Sequence, residues 1–210
     1  PDQDPTEALA MTSRERVLAA IEQALPDATA MVFEDYNKGV LVPAVIEVAI
    51  ALATARGLPV VLDPKFRNFF AYRGATVFKP NRRERESALG AAVDLEHPAA
   101  LPTTFARLGV DHLLLTLGEH GMALVSADGV VHRVPTTARE VYDVVGAGDT
   151  VTAYLATMLA AGASALEAAI VANFAAGVEV GKLGAATVSA DEVLEAYDQH
   201  LAESQDVSPD

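Results

Sequence analysis

Short apolar runs of strand length alternate with longer segments of helical period from about residue 14 to residue 200. That alternation restricts the chain to an α/β fold: a doubly wound, mostly parallel sheet with helices on both faces. Strands are expected at Thr29–Phe33, Leu58–Leu62, Ala75–Phe78 and His112–Leu117. Met122–Ser126 and Val130–Val134 flank Ala127-Asp128-Gly129, a hairpin signal. Helices are expected at Arg14–Ala24, at Pro43–Ala55 with its first-turn proline, and at Arg82–Leu89 and Pro98–Leu108. Another runs from the Asp143–Asp149 stretch to about Ala161, and the last two are Leu166–Val180 and Ala190–His200. The chain reads as a flexible segment 1–13, one domain 14–202 and a polar, frayed tail 203–210. Asp35, Asp63-Pro64-Lys65, Asn81 and Thr116-Leu117-Gly118 each fall just past a strand's carboxyl end, the edge where open α/β sheets gather ligands. Four polar clusters on one edge predict a single cleft.

Composition narrows the partners. A net charge of −14 argues against nucleic acid, whose phosphates must be met by Lys and Arg. A bound phosphate must therefore be held by backbone N–H groups, a helix N-terminus, a few basic residues and a metal ion. The chain has no Cys, which removes disulfides, thiolate metal sites and cysteine nucleophiles, and fits a cytoplasmic setting. No apolar run has the length of a membrane span; Ala153–Ala163 is short and reads as a buried helix. The acidic N-terminus lacks the basic and apolar regions of a secretory signal.

Gly146-Ala147-Gly148-Asp149 is the sharpest local signal. Small residues let backbone approach a phosphate closely. The helix that starts there adds free N–H groups and a positive dipole end. A carboxylate beside such a loop suits a group that takes a proton from an attacking hydroxyl while the loop holds the phosphoryl oxygens. Alone, the four residues also describe an ordinary helix start with an acidic first turn. They match neither a Walker loop nor a dinucleotide fingerprint.

Asp143-Val144-Val145-Gly146-Ala147-Gly148-Asp149 resembles the second signature of the ribokinase-like (PfkB-type) carbohydrate kinases, with Val144 at a position usually held by Thr. The resemblance implies that Asp149 is the catalytic base, that the Gly146, Ala147 and Gly148 backbone forms an anion hole, and that Asp143 shapes a monovalent-cation site. Asn81-Arg82-Arg83-Glu84 is similar to the family's Asn-x-x-Glu motif, which implies roles for Asn81 and Glu84 near Mg²⁺ and phosphate through water. The same four residues form a capping box, and both roles are expected. Thr116-Leu117-Gly118-Glu119-His120-Gly121 resembles the nucleotide-binding segment, implicating Thr116, Gly118 and Gly121; on its own it is a tight turn. Asn173 matches the helix lining the adenine pocket, and Gly181–Val188, with Gly184, resembles the loop beside adenine and cation. The implied cofactors are ATP, Mg²⁺ and K⁺.

Asp35-Tyr36-Asn37-Lys38-Gly39, Asp63-Pro64-Lys65, Tyr72-Arg73-Gly74-Ala75-Thr76 and Val180-Gly181-Lys182-Leu183-Gly184 resemble one branch, the kinase half of bifunctional ADP-heptose synthases. That resemblance implies a phosphorylated sugar substrate, heptose 7-phosphate, phosphorylated at its anomeric hydroxyl, with Lys38 and Lys65 as phosphate contacts. Glu34, Phe66 and Lys79 depart from the branch pattern and leave the sugar open. A non-catalytic nucleotide-binding module and a different sugar or nucleoside kinase of the family are the competing readings. The match begins near the middle of the family pattern, without the N-terminal sugar-binding and lid segment. Bared sheet edge and apolar surface then predict association into a homo-oligomer.

Overall fold

The computed structural model describes residues 11–90, 95, 101–138, 141–184 and 186–206. Six strands form one mixed sheet in sequential order: β1 (Met31–Glu34), β2 (Val60–Asp63), β3 (Val77–Phe78), β4 (His112–Thr116), β5 (Met122–Ser126) and β6 (Val131–Val134). The first four are parallel. β4–β5–β6 is an antiparallel meander. Parallel pairing follows from the crossovers, which carry α2 (Pro43–Ala55) between β1 and β2, and α3 (Arg82–Leu89) and α4 (Leu101–Leu108) between β3 and β4. The remaining helices are α1 (Met11–Ala24), α5 (Ala147–Ala160), α6 (Ala165–Val180) and α7 (Ala190–Asp206).

Strand alternation divides the core in two. Phe33, Leu62, Phe78, Leu113, Leu115, Ala123 and Val125 point to one face, against Ile46, Ala49, Ile50 and Ala53 of α2 and Phe105 and Leu108 of α4. Val61, Val77, Leu114, Met122, Leu124 and Val134 point to the other, against Val151, Leu155 and Ala156 of α5 and Ala165, Ala168, Ala169 and Ala172 of α6. The alanines of α6 let it lie close on α5, with which it makes the most extensive helix–helix contact in the molecule. The doubly wound architecture expected from sequence is thus present.

Element boundaries shift by a few residues, as hydrogen-bonded ends do. Strands β1 and β2 each begin two residues later than the apolar runs, and their last members are the polar Glu34 and Asp63. α1 begins at Met11, and α7 continues past His200 to Asp206. α5 is buried along one stripe only, with Ala153 and Thr157 exposed, so the apolar segment 153–163 is amphipathic rather than fully buried. The expectations for residues 1–10 and 207–210, and for the start of a helix at Pro98, lie outside the described residues. No helix among the described residues is long and apolar enough to cross a membrane.

Candidate active site at the carboxyl edge of the sheet

The parallel register delivers the last residues of β1 and β2 side by side: Glu34 pairs with Asp63. Asp149, in the first turn of α5, joins them, and one carboxylate oxygen from each of the three lies within 4.8 Å of the other two. Asp63 is balanced by Lys79, which follows β3, at 2.9 Å; the Lys79 side chain is almost completely buried. A β-carbon added to Gly148 would stand 3.6 Å from Lys79 Nζ and 3.7 Å from Asp63 Oδ2. The glycine turn therefore rests directly on a buried ammonium–carboxylate pair. Gly146, at φ 96°, is the N-cap of α5 and has a backbone conformation that a side chain disfavours. The amides of Gly148 and Asp149 then open the helix, where no i−4 carbonyl can receive them.

Asp149 is exposed, yet its orientation is set. Tyr36 Oη donates to both of its oxygens at 3.0 Å. Glu34 is half-buried and in hydrogen-bonding contact with Thr152. Burial, reinforced by the negative charge of Asp63, lifts Glu34 to a pKa of about 7, although Thr152 and Lys79 pull the other way. The Thr152 hydroxyl also donates to Gly148 O at 3.0 Å, buttressing the turn from beneath.

Asn81 and Glu84 form a complete capping box at the start of α3: Glu84 N–H donates to Asn81 Oδ1 and Asn81 N–H donates to Glu84 Oε2, both at 2.9 Å. Glu84 Oε1 accepts from Lys65 Nζ at 2.6 Å, and Lys65 lies 3.8 Å from Asp63. Burial pulls the Lys65 ammonium down, but the bond to Glu84 and the charge of Asp63 outweigh it and the net shift is upward. A bridge between Asn81 and Thr116 sets the β3 and β4 ends against each other. Each Glu84 oxygen, with one partner, retains a lone-pair direction that suits a hydrogen bond from metal-bound water better than direct ligation. The donor set thus fits Mg²⁺ held through its water shell.

Beyond β4 the chain turns through Leu117–Gly121, closed by Leu117 N–H on Gly121 O at 2.8 Å. Gly121 is packed so tightly on the Val134–Thr136 backbone that a β-carbon would fall 2.2 Å from Val134 O. Asn173 is buried in α6, donates to Pro135 O at 2.8 Å, and offers its own carbonyl to the Thr137 hydroxyl. These ties fix the Pro135–Ala138 segment against α6 and leave beside it a cavity of about 480 Å³. Thr136, Tyr142, Phe174, Gly177, Gly181 and His200 are among its walls. Gly184, at φ 70°, lies exposed in the loop after α6, and Lys38 is exposed in the loop after β1.

Sequence reasoning missed three participants and misplaced one. Glu34 and Lys79 stood out only as departures from a branch pattern, and Tyr36 only as part of a motif. Asp35, expected in the cleft, is buried on the other side of the strand, where Tyr72 and Asn68 donate to its carboxylate at 2.7 and 3.1 Å. The reason is strand alternation: adjacent residues at the end of β1 face opposite ways, so Glu34 enters the cleft and Asp35 leaves it.

Fold and edge geometry together define the ribokinase-like class of α/β proteins. Arabidopsis thaliana ribokinase complexed with ribose and ATP superposes with a TM-score of 0.70 at 23% identity, over 90% of this chain and 60% of that one. Escherichia coli phosphofructokinase-2 in complex with potassium does so with a TM-score of 0.75 at 19% identity, over 91% and 63%. Residues 4–192 match the pfkB family carbohydrate kinase model, and the chain belongs to that family. The bifunctional protein HldE of Rhodospirillum rubrum is 45% identical over 194 residues, covering 91% of this chain and 39% of the relative. HldE of Geotalea uraniireducens is 44% identical over 195 residues, 92% of this chain and 40% of the relative. The chain thus spans about two-fifths of the length of these relatives.

Proposed function

We propose that this chain is the nucleotide-binding and catalytic part of a kinase that moves the γ-phosphoryl group of ATP to a sugar hydroxyl, namely the anomeric hydroxyl of a heptose 7-phosphate. Family membership supports the sugar-kinase reading, and the HldE relatives support the heptose branch. The observation that carries the mechanism is the joint placement of Asp149 and the Gly146–Gly148 turn over the Lys79–Asp63 pair.

In this reading the Asp149 carboxylate accepts the proton of the sugar hydroxyl as its oxygen attacks the γ-phosphorus and the bond to the β-phosphate oxygen breaks. Tyr36 aims Asp149 by donating its hydroxyl to both carboxylate oxygens. The Gly148 and Asp149 amides, with the α5 dipole, stabilise the charge on the transferring group. Lys79, buried and held by Asp63, places a fixed positive charge under the same spot. Asn81 and Glu84 would hold Mg²⁺ through water, and the ion would supply charge neutralisation to the phosphates. Lys65, at the edge of this network, and Lys38 contact phosphate of sugar or nucleotide. The walls at Thr116, Gly118, Gly121 and Thr136, and the cavity beside Asn173, take the nucleoside end of ATP. Exposed Val32 on the β1 edge strand supports association with a second copy.

An ADP-release assay across free and phosphorylated sugars, run with this chain and an N-terminally extended form, tests the reading. Sugar-dependent ADP release that is highest with a heptose 7-phosphate is expected. ATP binding without sugar-dependent release would instead favour a non-catalytic nucleotide module. Preference for a free hexose, pentose or nucleoside would move the chain to another branch of the family.

A further inference from the structure

Lysines stand on both sides of Asp63, and they are held in different ways. Lys79 sits on Oδ2 at 2.9 Å, with its side chain almost completely buried. Lys65 lies 3.8 Å from Oδ1 but makes its short bond elsewhere, to Glu84 Oε1 at 2.6 Å, and its side chain is 30% exposed. The backbone that carries Lys65 has little freedom. Pro64 restricts the chain before it. The 3₁₀ turn Phe66–Asn68 follows it, anchored by Asn68 Nδ2, which donates to Asp35 Oδ2 at 3.1 Å and to Leu41 O at 2.6 Å. Movement of the ammonium is therefore left to its own flexible stem.

Glu84 is the fixed member of the pair. Its side chain is largely buried, and Oε2 is committed to Asn81 N–H in the capping box. Oε1 is the oxygen whose partner can leave. A water-shelled divalent ion fits beside the Lys65 bond, but one carboxylate charge would then face both cations. Like charges a few ångströms apart oppose each other's binding. Lys65 on Glu84 thus weakens a divalent ion there, and the ion weakens the hold on Lys65. Asp63 links the ammonium to a second destination. Its Oδ1 is the oxygen near Lys65, and its Oδ2 lies 3.7 Å from a β-carbon built on Gly148, in the turn proposed to hold phosphate.

We propose that Lys65 is a positioning residue that couples metal to phosphate: it neutralises Glu84 before ligands arrive, opposes a divalent ion bound there alone, and moves to phosphate when nucleotide and metal come together. The proposal rests on the phosphoryl-transfer reading for the identity of the phosphate. It goes beyond that reading by giving Lys65 an exchange of partners in place of a fixed contact. Its consequence is linkage: each ligand that draws on Lys65 or Glu84 changes the affinity for the other by the same factor.

Two titrations without turnover test the exchange. Mn²⁺ alone, followed by electron paramagnetic resonance, should bind Lys65→Met roughly tenfold more tightly than the wild-type chain. Lys65→Arg, which keeps the charge, should stay near wild type. Adding Glu84→Gln to Lys65→Met should abolish the gain, because Gln keeps the cap and loses the charge. ADP titrated in EDTA should bind Lys65→Met roughly threefold more weakly than wild type, the size of one lost exposed charge contact. Opposite signs for metal and nucleotide are the signature, since a merely structural ion pair would move both the same way or neither. If Lys65→Met does not fold, Lys65→Gln decides by the same two titrations. Unchanged Mn²⁺ affinity, or undiminished ADP affinity, overturns the proposal. So does a gain that survives Glu84→Gln, which would put the ion on the Glu34, Asp63 and Asp149 carboxylates instead. Both shifts without sugar-dependent ADP release would strike the kinase reading alone; normal release without the shifts would strike this proposal alone.

Discussion

The β1–β3 end of the cleft and the β4–β6 end solve different problems with different materials. The first is dense in charge: Lys79 pairs with Asp63 and Lys65 with Glu84, and oxygens of Glu34, Asp63 and Asp149 gather within 4.8 Å of one another. The second is made mainly of backbone, small residues and aromatic rings, with Asn173 and Thr137 serving to pin one segment to α6. On the proposed function, the contrast separates chemistry from recognition. Charges that must act on a phosphoryl group need fixed partners in a low dielectric. A flat nucleobase needs only shape and a few polar edges.

Four substitutions outside the proposed base sharpen or break that contrast. The largest effect belongs to the charged end. Lys79→Met strands Asp63 without its buried counter-charge, and removing one partner of a buried pair typically costs about 3–5 kcal/mol. Denaturant melts should show that loss; a change under 1 kcal/mol would mean that the pair is well solvated. At the recognition end, Gly177→Ala pushes a methyl to within 2.7 Å of Thr137 Oγ1 and 3.2 Å of the Ala138 amide. It should raise the KM for ATP roughly tenfold at nearly constant kcat, the pattern of lost uniform binding. An equal fall in kcat would show that this end also serves the chemistry.

Glu34 supplies a pH test. Its folded pKa of about 7 lies above the unfolded value of 4.5, so the folded state holds the proton more tightly. The resulting stabilisation is complete below about pH 4.5 and is lost as the pH rises through about 7. Glu34→Gln should remove that loss and make the variant more stable than wild type at pH 8 by roughly 1–2 kcal/mol, allowing for solvent screening. Parallel stability curves from pH 4 to 8 would show that Glu34 ionises normally. The smallest effect is expected from Tyr36→Phe, which removes the hydroxyl that donates to both oxygens of Asp149. A three- to tenfold fall in kcat is the expected size, about 1 kcal/mol, with the KM for ATP unchanged.

The comparison also shows what could be read from the chain. The fold class followed from alternation, and Asp149 with its glycines followed from a short contiguous motif. Asn81 and Glu84 were equally legible, because a capping box is local. What stayed hidden depends on residues far apart in sequence. Lys79 meets Asp63 across 16 positions and Tyr36 meets Asp149 across 113. The parallel β2–β3 register makes the first pair neighbours, and the packing of α5 on β1 and β2 makes the second. The exchange of Asp35 for Glu34 has a simpler origin: side chains alternate faces along a strand, so Glu34, the last residue of β1, faces the cleft and Asp35 does not.

Asp149→Asn, with MgATP affinity and sugar-dependent turnover measured on the same preparation, is the most direct test of the assignment. Replacing the proposed proton acceptor by an isosteric amide should lower kcat by about 10²–10⁴-fold while the Kd for MgATP stays within a few-fold of wild type. Turnover close to wild type would contradict the account, because the carboxylate over the buried Lys79–Asp63 pair would then not be the base.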